Sequence, residues 1–267
     1  MSGFEHMTAA EAVPALVHLP EVASTNTWLT DEVERFSAEA EGASAAGRFF
    51  FDGDAVVTFR QSDGRGQRGN HWESAPDRNI CMSLLLRPSK VPASSFFLLS
   101  EMVALGVCSL LEAYLPGAAV SVKWPNDIYV DERKICGILI ENRLQGPQIL
   151  YSVVGIGLNV NQERFESDAP NPVSMTQLTG RSYELTALAA ELQARVLHVY
   201  RSASPERVRS AYRQRLYRRD GWHSFRDAAH GLFQARIVSV SEQGMLTLET
   251  SDGARRTYAF KEVSFVL

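Results

Sequence analysis

The chain has 267 residues, 45% of them hydrophobic and 22% charged, with a formal net charge of −4. That composition suits a folded globular protein with ample material for a core, as one large domain plus a small one. It speaks against a dedicated nucleic-acid binder, which needs a basic surface, and no stretch approaches the uninterrupted apolar length of a membrane span. The first residues, "MSGFEHMTAAEAVP", lack the basic flank and apolar run of a signal peptide, and the segment before Pro14 is expected to be loose.

After Pro20, "STNTW" (24–28) leads into a run with Trp28, Leu29, Val33 and Phe36, the pattern of a helix start. A small-residue break follows at 38–48. Strands are expected at 55–59 and 80–86, and a well-buried helix at 93–114. "AVSVKW", then a hairpin around Asp131 and Glu132, then "ILYSVVGIGLNV" imply neighbouring antiparallel strands. The tract 161–175 holds two prolines and reads as a mobile loop. Helices follow at 184–200 and 205–217. Past Gly221 the pattern changes to short strands at 232–240, 245–249 and 255–260, which suggests a small β-barrel appended to an α/β unit.

Cys81, Cys108 and Cys136 each sit in an apolar run without metal-ligand spacing, and an odd number does not make a disulfide framework. They read as core residues of a reduced, cytoplasmic protein. The arginine-rich stretch 200–222 reads as a solvated amphipathic helix rather than an RNA-binding patch.

Four polar segments interrupt the ends of these elements: "STNTW", "RQSDGRGQRGNHW" (60–72), "VKWPNDIYVDERKICGIL" (122–139) and "VVGIGLNVN" (153–161). Together they supply Lys123, Arg65 and Arg68, amide and hydroxyl side chains, and glycines that permit close backbone approach. Such a set suits a polyanion carrying a polar head group. Each segment alone has a plainer reading: "KWPND" as a turn, "GIGLN" as close strand packing, "GRGQRG" (64–69) as a surface loop.

In this order, "GRGQRG", "KWPND" followed by "KICGILIE", and "GIGLNV" resemble the biotin protein ligases, from about Ser24 to Asn161 and on through the small C-terminal unit. The resemblance implies an α+β fold: a mixed, largely antiparallel sheet with helices, of the class II synthetase-like kind (1–220), plus a small SH3-like β-barrel (221–267). It implies that biotin and MgATP give biotinyl-5′-AMP and pyrophosphate, and that biotin then passes to a lysine of a biotin carboxyl carrier protein. Fewer residues precede "STNTW" than a three-helix DNA-binding domain needs, so the enzyme-only form is expected. An exposed sheet edge leaves a homodimer open.

The resemblance also assigns residues. Lys123 would hold biotin's carboxylate and the α-phosphate, since two anions must be neutralised as they meet. Ser24, Thr25, Asn26 and Gln61 would contact the ureido head, whose N–H donors and carbonyl suit hydroxyls and amides. Arg65, Gly66 and Gln67 would belong to a loop that covers the water-sensitive adenylate, with Arg65 and Arg68 attracted to its anions and Trp72 near the nucleotide. Gln67 stands where some relatives carry arginine. Gly137, Gly155 and Gly157 would thin the pocket floor, with Asn126 near a ribose or metal and Asn159 on the adenine side. Asp127 is read as a Mg2+ ligand or a turn cap. A lipoate or octanoate ligase is the nearest alternative enzyme. A biotin sensor without catalysis is the alternative from another class, although it would have no use for phosphate-binding cations.

Overall fold

The computed structural model describes residues 13–39, 50–166 and 171–266, the side chains of 37–39 and of Arg68 excepted. The expected loose start and most of the small-residue break lie outside these residues. Seven strands form the larger sheet: β1 (Leu16–His18), β2 (Ala55–Thr58), β3 (Ile80–Leu86), β4 (Val120–Lys123), β5 (Asp127–Val130), β6 (Arg133–Gln145) and β7 (Gln148–Leu158). Their order is β1-β2-β3-β7-β6-β5-β4, with only β1 and β2 parallel. The helices are α1 (Thr25–Glu39), α2 (Phe97–Tyr114), α3 (Met175–Thr179), α4 (Leu185–Ser202) and α5 (Pro205–Gln214). This is the mixed, largely antiparallel α+β architecture that the sequence implies.

The central strand explains the layering. Every residue of β3, "ICMSLLL", is buried, as a strand covered on both faces must be. Ile80, Met82, Leu84 and Leu86 face the large core that includes α2 and α4, while Leu85 faces a smaller cluster with Leu29 and Val33 of α1. By length and composition alone α2 would pass for a membrane span, yet most of it is buried inside the protein. All three cysteines are free and buried, and burial pushes the Cys81 thiol up to about 11 and Cys108 up to about 12. Neither is a nucleophile near neutral pH.

The small C-terminal unit, expected as a barrel, is a five-stranded antiparallel sheet: β8 (His223–Asp227), β9 (Gly231–Val240), β10 (Leu246–Thr250), β11 (Arg255–Tyr258) and β12 (Val263–Phe265). The pairing order is β11-β10-β9-β8-β12, and no pairing of β11 with β12 closes it among the described residues. Its buried side chains, Phe225, Leu246 and Val263 among them, belong to the same cluster as the core of the larger sheet. The junction is pinned by polar contacts as well. Trp124 Nε1 donates to Gly244 O at 2.9 Å, Ser95 Oγ donates to Glu242 at 2.9 Å, and Arg209 pairs with Glu242 at 2.9 Å.

Beside that junction lies Glu101 of α2, 4% exposed. Burial pushes its carboxyl up to about 7, against the opposing pull of Arg209 and Arg213, and one oxygen has no hydrogen-bond partner. A carboxyl raised in the folded state stabilises while protonated, fully below its ordinary pKa, and that contribution is lost as pH rises through about 7. Glu101→Gln is therefore expected to raise stability at pH 8 by on the order of 1–3 kcal/mol, with the gain fading below pH 5. Urea unfolding at the two pH values checks it.

Candidate active site

The cleft arises where α1 begins and no longer covers the sheet. Strand alternation puts Leu85, Ser83 and Cys81 of β3 on one face, in register with Val153, Gly155 and Gly157 of β7, and these with Glu141, Leu139 and Gly137 of β6. Along this face the side chains shrink from Leu85 and Val153 beneath α1 to Cys81, Gly157 and Gly137. The space so opened is a cleft of about 910 Å³.

The amino end of α1 provides the polar end of the cleft. Gln61 Oε1 accepts from Thr25 N at 3.0 Å and from Thr25 Oγ1 at 3.3 Å. The buried Ser83 hydroxyl lies 2.8 Å from Thr25 Oγ1 and 2.6 Å from Asn26 Oδ1. Asn26 Nδ2 donates to Glu141 Oε2 at 2.9 Å, so both ends of the amide are held. The side chain lies over Gly155, where a Cβ would come within 3.0 Å of Asn26 Cγ.

The loop 64–72 crosses this end as a small hairpin. Gly66 N donates to Asn70 O at 2.6 Å and Trp72 N to Gly64 O at 2.8 Å. Arg65 pairs with Glu141 at 2.8 Å and donates to Thr27 Oγ1 at 3.1 Å. Gln67, in the single 3-10 turn that caps the hairpin, also lines the cleft. The side chain of Arg68, expected at the phosphates, lies outside the described set.

Trp72 rests on the glycine floor. A Cβ on Gly157 would stand 2.8 Å or less from three indole atoms, and one on Gly137 would stand 2.9 Å from Cζ3. Gly157→Ala is therefore expected to displace Trp72 and to quench or shift its emission. Affinity at the end of the cleft that the resemblance assigns to the nucleotide should weaken by about tenfold or more, the scale on which small misplacements act. A nucleotide titration followed by tryptophan fluorescence checks it.

The other end carries the charge. Lys123 Nζ donates to the Tyr129 hydroxyl at 3.0 Å, and Phe265 of β12 lies over it at 5.7 Å. Burial lowers the Lys123 pKa and, together with the neighbouring Asp127, raises that of Tyr129. Lys134 of β6, which the sequence reading did not select, pairs with Asp127 at 2.7 Å and stands 5.6 Å from the Trp72 ring. Among the described lining residues there are four cations, Arg65, Lys123, Lys134 and Lys261, against one carboxylate, Asp127. Asn126, also on the lining, donates through Nδ2 to Ile138 O, which ties the "KWPND" turn to β6.

Two assigned residues are placed differently from expectation. Asn159 does not line the cleft. Its Nδ2 donates to Val173 O at 3.1 Å, and its buried Oδ1 has no partner. Asp127 serves Lys134, and no cluster of carboxylates, histidines or cysteines among the described residues could hold a metal ion. The sequence reading also did not select Ser83, Glu141, Phe260, Lys261 or Phe265. The sequence signal at Ser83 is that it is the one hydroxyl in an apolar strand, and at Lys134 that it is one of two charges in "RKICG".

This cleft joins a polar end to a cationic end across a glycine floor, an arrangement that suits a ligand with a small polar head and an anionic group. Residues 49–159 match the Biotin/lipoate A/B protein ligase family. Over 226 residues the chain is 29% identical to the bifunctional ligase/repressor BirA of Bacillus spizizenii, covering 78% of this chain and 65% of that one. It is 32% identical to the biotin–[acetyl-CoA-carboxylase] ligase of Mycobacterium tuberculosis, covering 65% and 64%. The chain thus spans just under two thirds of the length of these relatives. In fold it resembles the biotin protein ligase of Aquifex aeolicus in complex with biotin and ATP, with a TM-score of 0.71, 24% identity, and 94% and 98% of the two chains covered.

Proposed function

We propose that this protein is a biotin protein ligase, which activates biotin as biotinyl-5′-AMP and transfers it to a lysine of a biotin carboxyl carrier protein. The observation that carries the reading is the convergence of the hydroxyl and amide cluster at Thr25, Asn26 and Gln61 with the cations Lys123 and Lys134 in one cleft. The ureido head of biotin offers donors and an acceptor to the first, while its carboxylate and the α-phosphate of ATP meet at the second.

Binding ATP fits an orphaned polar atom of the cleft. Trp72, on the lining, has a buried Nε1 donor without a partner. An adenine edge presents complementary acceptors. ATP brings magnesium with it as part of the substrate, and the chain's own residues supply the remaining neutralisation. In the first step a carboxylate oxygen of biotin bonds to the α-phosphorus and pyrophosphate leaves. In the second a carrier lysine amine attacks the acyl carbon, AMP leaves and the amine proton is lost. Between the steps the hairpin 64–72 and the Trp72 ring keep water from the anhydride.

The test is direct. Purified protein, MgATP and biotin should add one biotin to a biotinyl domain, read as a single mass increment on its lysine. Modification by lipoate in place of biotin would assign the chain to the other branch of the family. Biotin binding without any transfer would favour a sensor.

A further inference from the structure

We propose that Glu141 is a positioning residue that turns the Asn26 amide so that its oxygen is presented to the head group, and at the same time anchors the cover loop through Arg65. This rests on the biotin reading above and adds the residue that sets head-group recognition. The side chain of Glu141 does not line the cleft, so it acts through others. Its Oε2 accepts from Asn26 Nδ2 at 2.9 Å and from Arg65 Nη1 at 3.4 Å, and its Oε1 accepts from Arg65 Nη2 at 2.8 Å. One carboxylate therefore ties the start of α1 to the loop 64–72.

The chemistry of the group matters. An ionised carboxylate only accepts hydrogen bonds, so the Asn26 edge that faces it must be NH2. Oδ1 then faces Ser83 Oγ at 2.6 Å and keeps a second lone pair. That lone pair suits a ligand N–H, as in a ureido ring, and offers nothing to a head group without donors. A glutamine at 141 presents both a donor and an acceptor, so only the longer bond from Asn26 Nδ2 to Leu139 O, 3.4 Å, still favours this orientation of the amide, and the loop arginine loses its charged partner. The bidentate geometry and the third bond from Asn26 make this more than a surface ion pair, even though Glu141 is 35% exposed at its side chain.

The experiment compares wild-type protein with Glu141→Gln, Asn26→Ala and the double variant in biotin-dependent pyrophosphate exchange. Alongside it, amide hydrogen exchange over residues 64–72 is followed without added biotin. Glu141→Gln is expected to raise KM for biotin by about tenfold or more while kcat stays within about threefold, and to add little on top of Asn26→Ala. Loop amides should exchange faster in Glu141→Gln, with the thermal midpoint close to wild type. An unchanged KM in the folded variant would overturn the proposal, as would a fall in kcat at constant KM or an additive double variant. If wild-type protein shows no biotin-dependent exchange, it is the biotin reading that fails. Loop exchange then still decides whether Glu141 anchors Arg65, and an unchanged rate overturns that too.

Discussion

Lys123→Ala is expected to slow adenylate formation roughly a hundredfold or more, the scale of losing one preorganised electrostatic stabiliser. Lys123 ends β4 at the cationic side of the cleft, its ammonium fixed by the Tyr129 hydroxyl and shielded by Phe265. Shielding strengthens its attraction for a phosphate and also lowers its pKa, so the ammonium is lost at a lower pH than that of an ordinary lysine. The alkaline limb of the rate should therefore begin below the usual lysine range and be absent from the residual activity of the variant. Lys134→Ala should be at least as damaging. It removes a cation from the glycine floor and leaves Asp127, its partner at 2.7 Å, as an unpaired anion facing the reacting phosphate. Adding Asp127→Asn to that variant should recover part of the loss. Pre-steady-state measurement of adenylate formation checks both lysines. Near-normal rates in folded variants would remove them from the mechanism.

Arg65→Gly is expected to uncouple the two half-reactions. The guanidinium holds the loop to Glu141 and Thr27, and its loss leaves hairpin 64–72 with little beyond its backbone bonds and the Trp72 contact. The open population then rises and biotinyl adenylate escapes before transfer. Several molecules of AMP should appear for each biotin placed on a carrier, compared with about one for the wild type, and nearby lysines should be labelled indiscriminately. The AMP-to-biotin ratio measures it, with protease cleavage in the loop as a parallel readout. An unchanged ratio and an unchanged cleavage rate would make this loop an ordinary surface turn.

The fold was legible where periodicity is strong. β3 lies within its predicted bounds because a central strand is apolar throughout, and α2 stands out because it is buried nearly all round. The short strands β1, β8 and β12 were missed. They are three to five residues long, and tertiary pairing rather than local pattern makes them strands. The tract 161–175 read as loop, and the end of it caps α3, where Ser174 and Gln177 form a reciprocal capping box. The site was legible at motif residues, and most of those assigned do line one cleft. What remained hidden were residues whose importance comes from register. Glu141 and Ser83 meet Asn26 only because β3, β7 and β6 pair as they do, and Phe265 reaches Lys123 only because the second sheet docks there.

The most direct test of the central claim is isotopic exchange between ATP and pyrophosphate with wild-type protein, supplied in turn with biotin, lipoate, octanoate or no acid. Exchange that depends on biotin and is weak or absent with the other acids is the predicted result. Exchange driven by lipoate or octanoate but not by biotin, or biotin binding with no exchange at all, would contradict it.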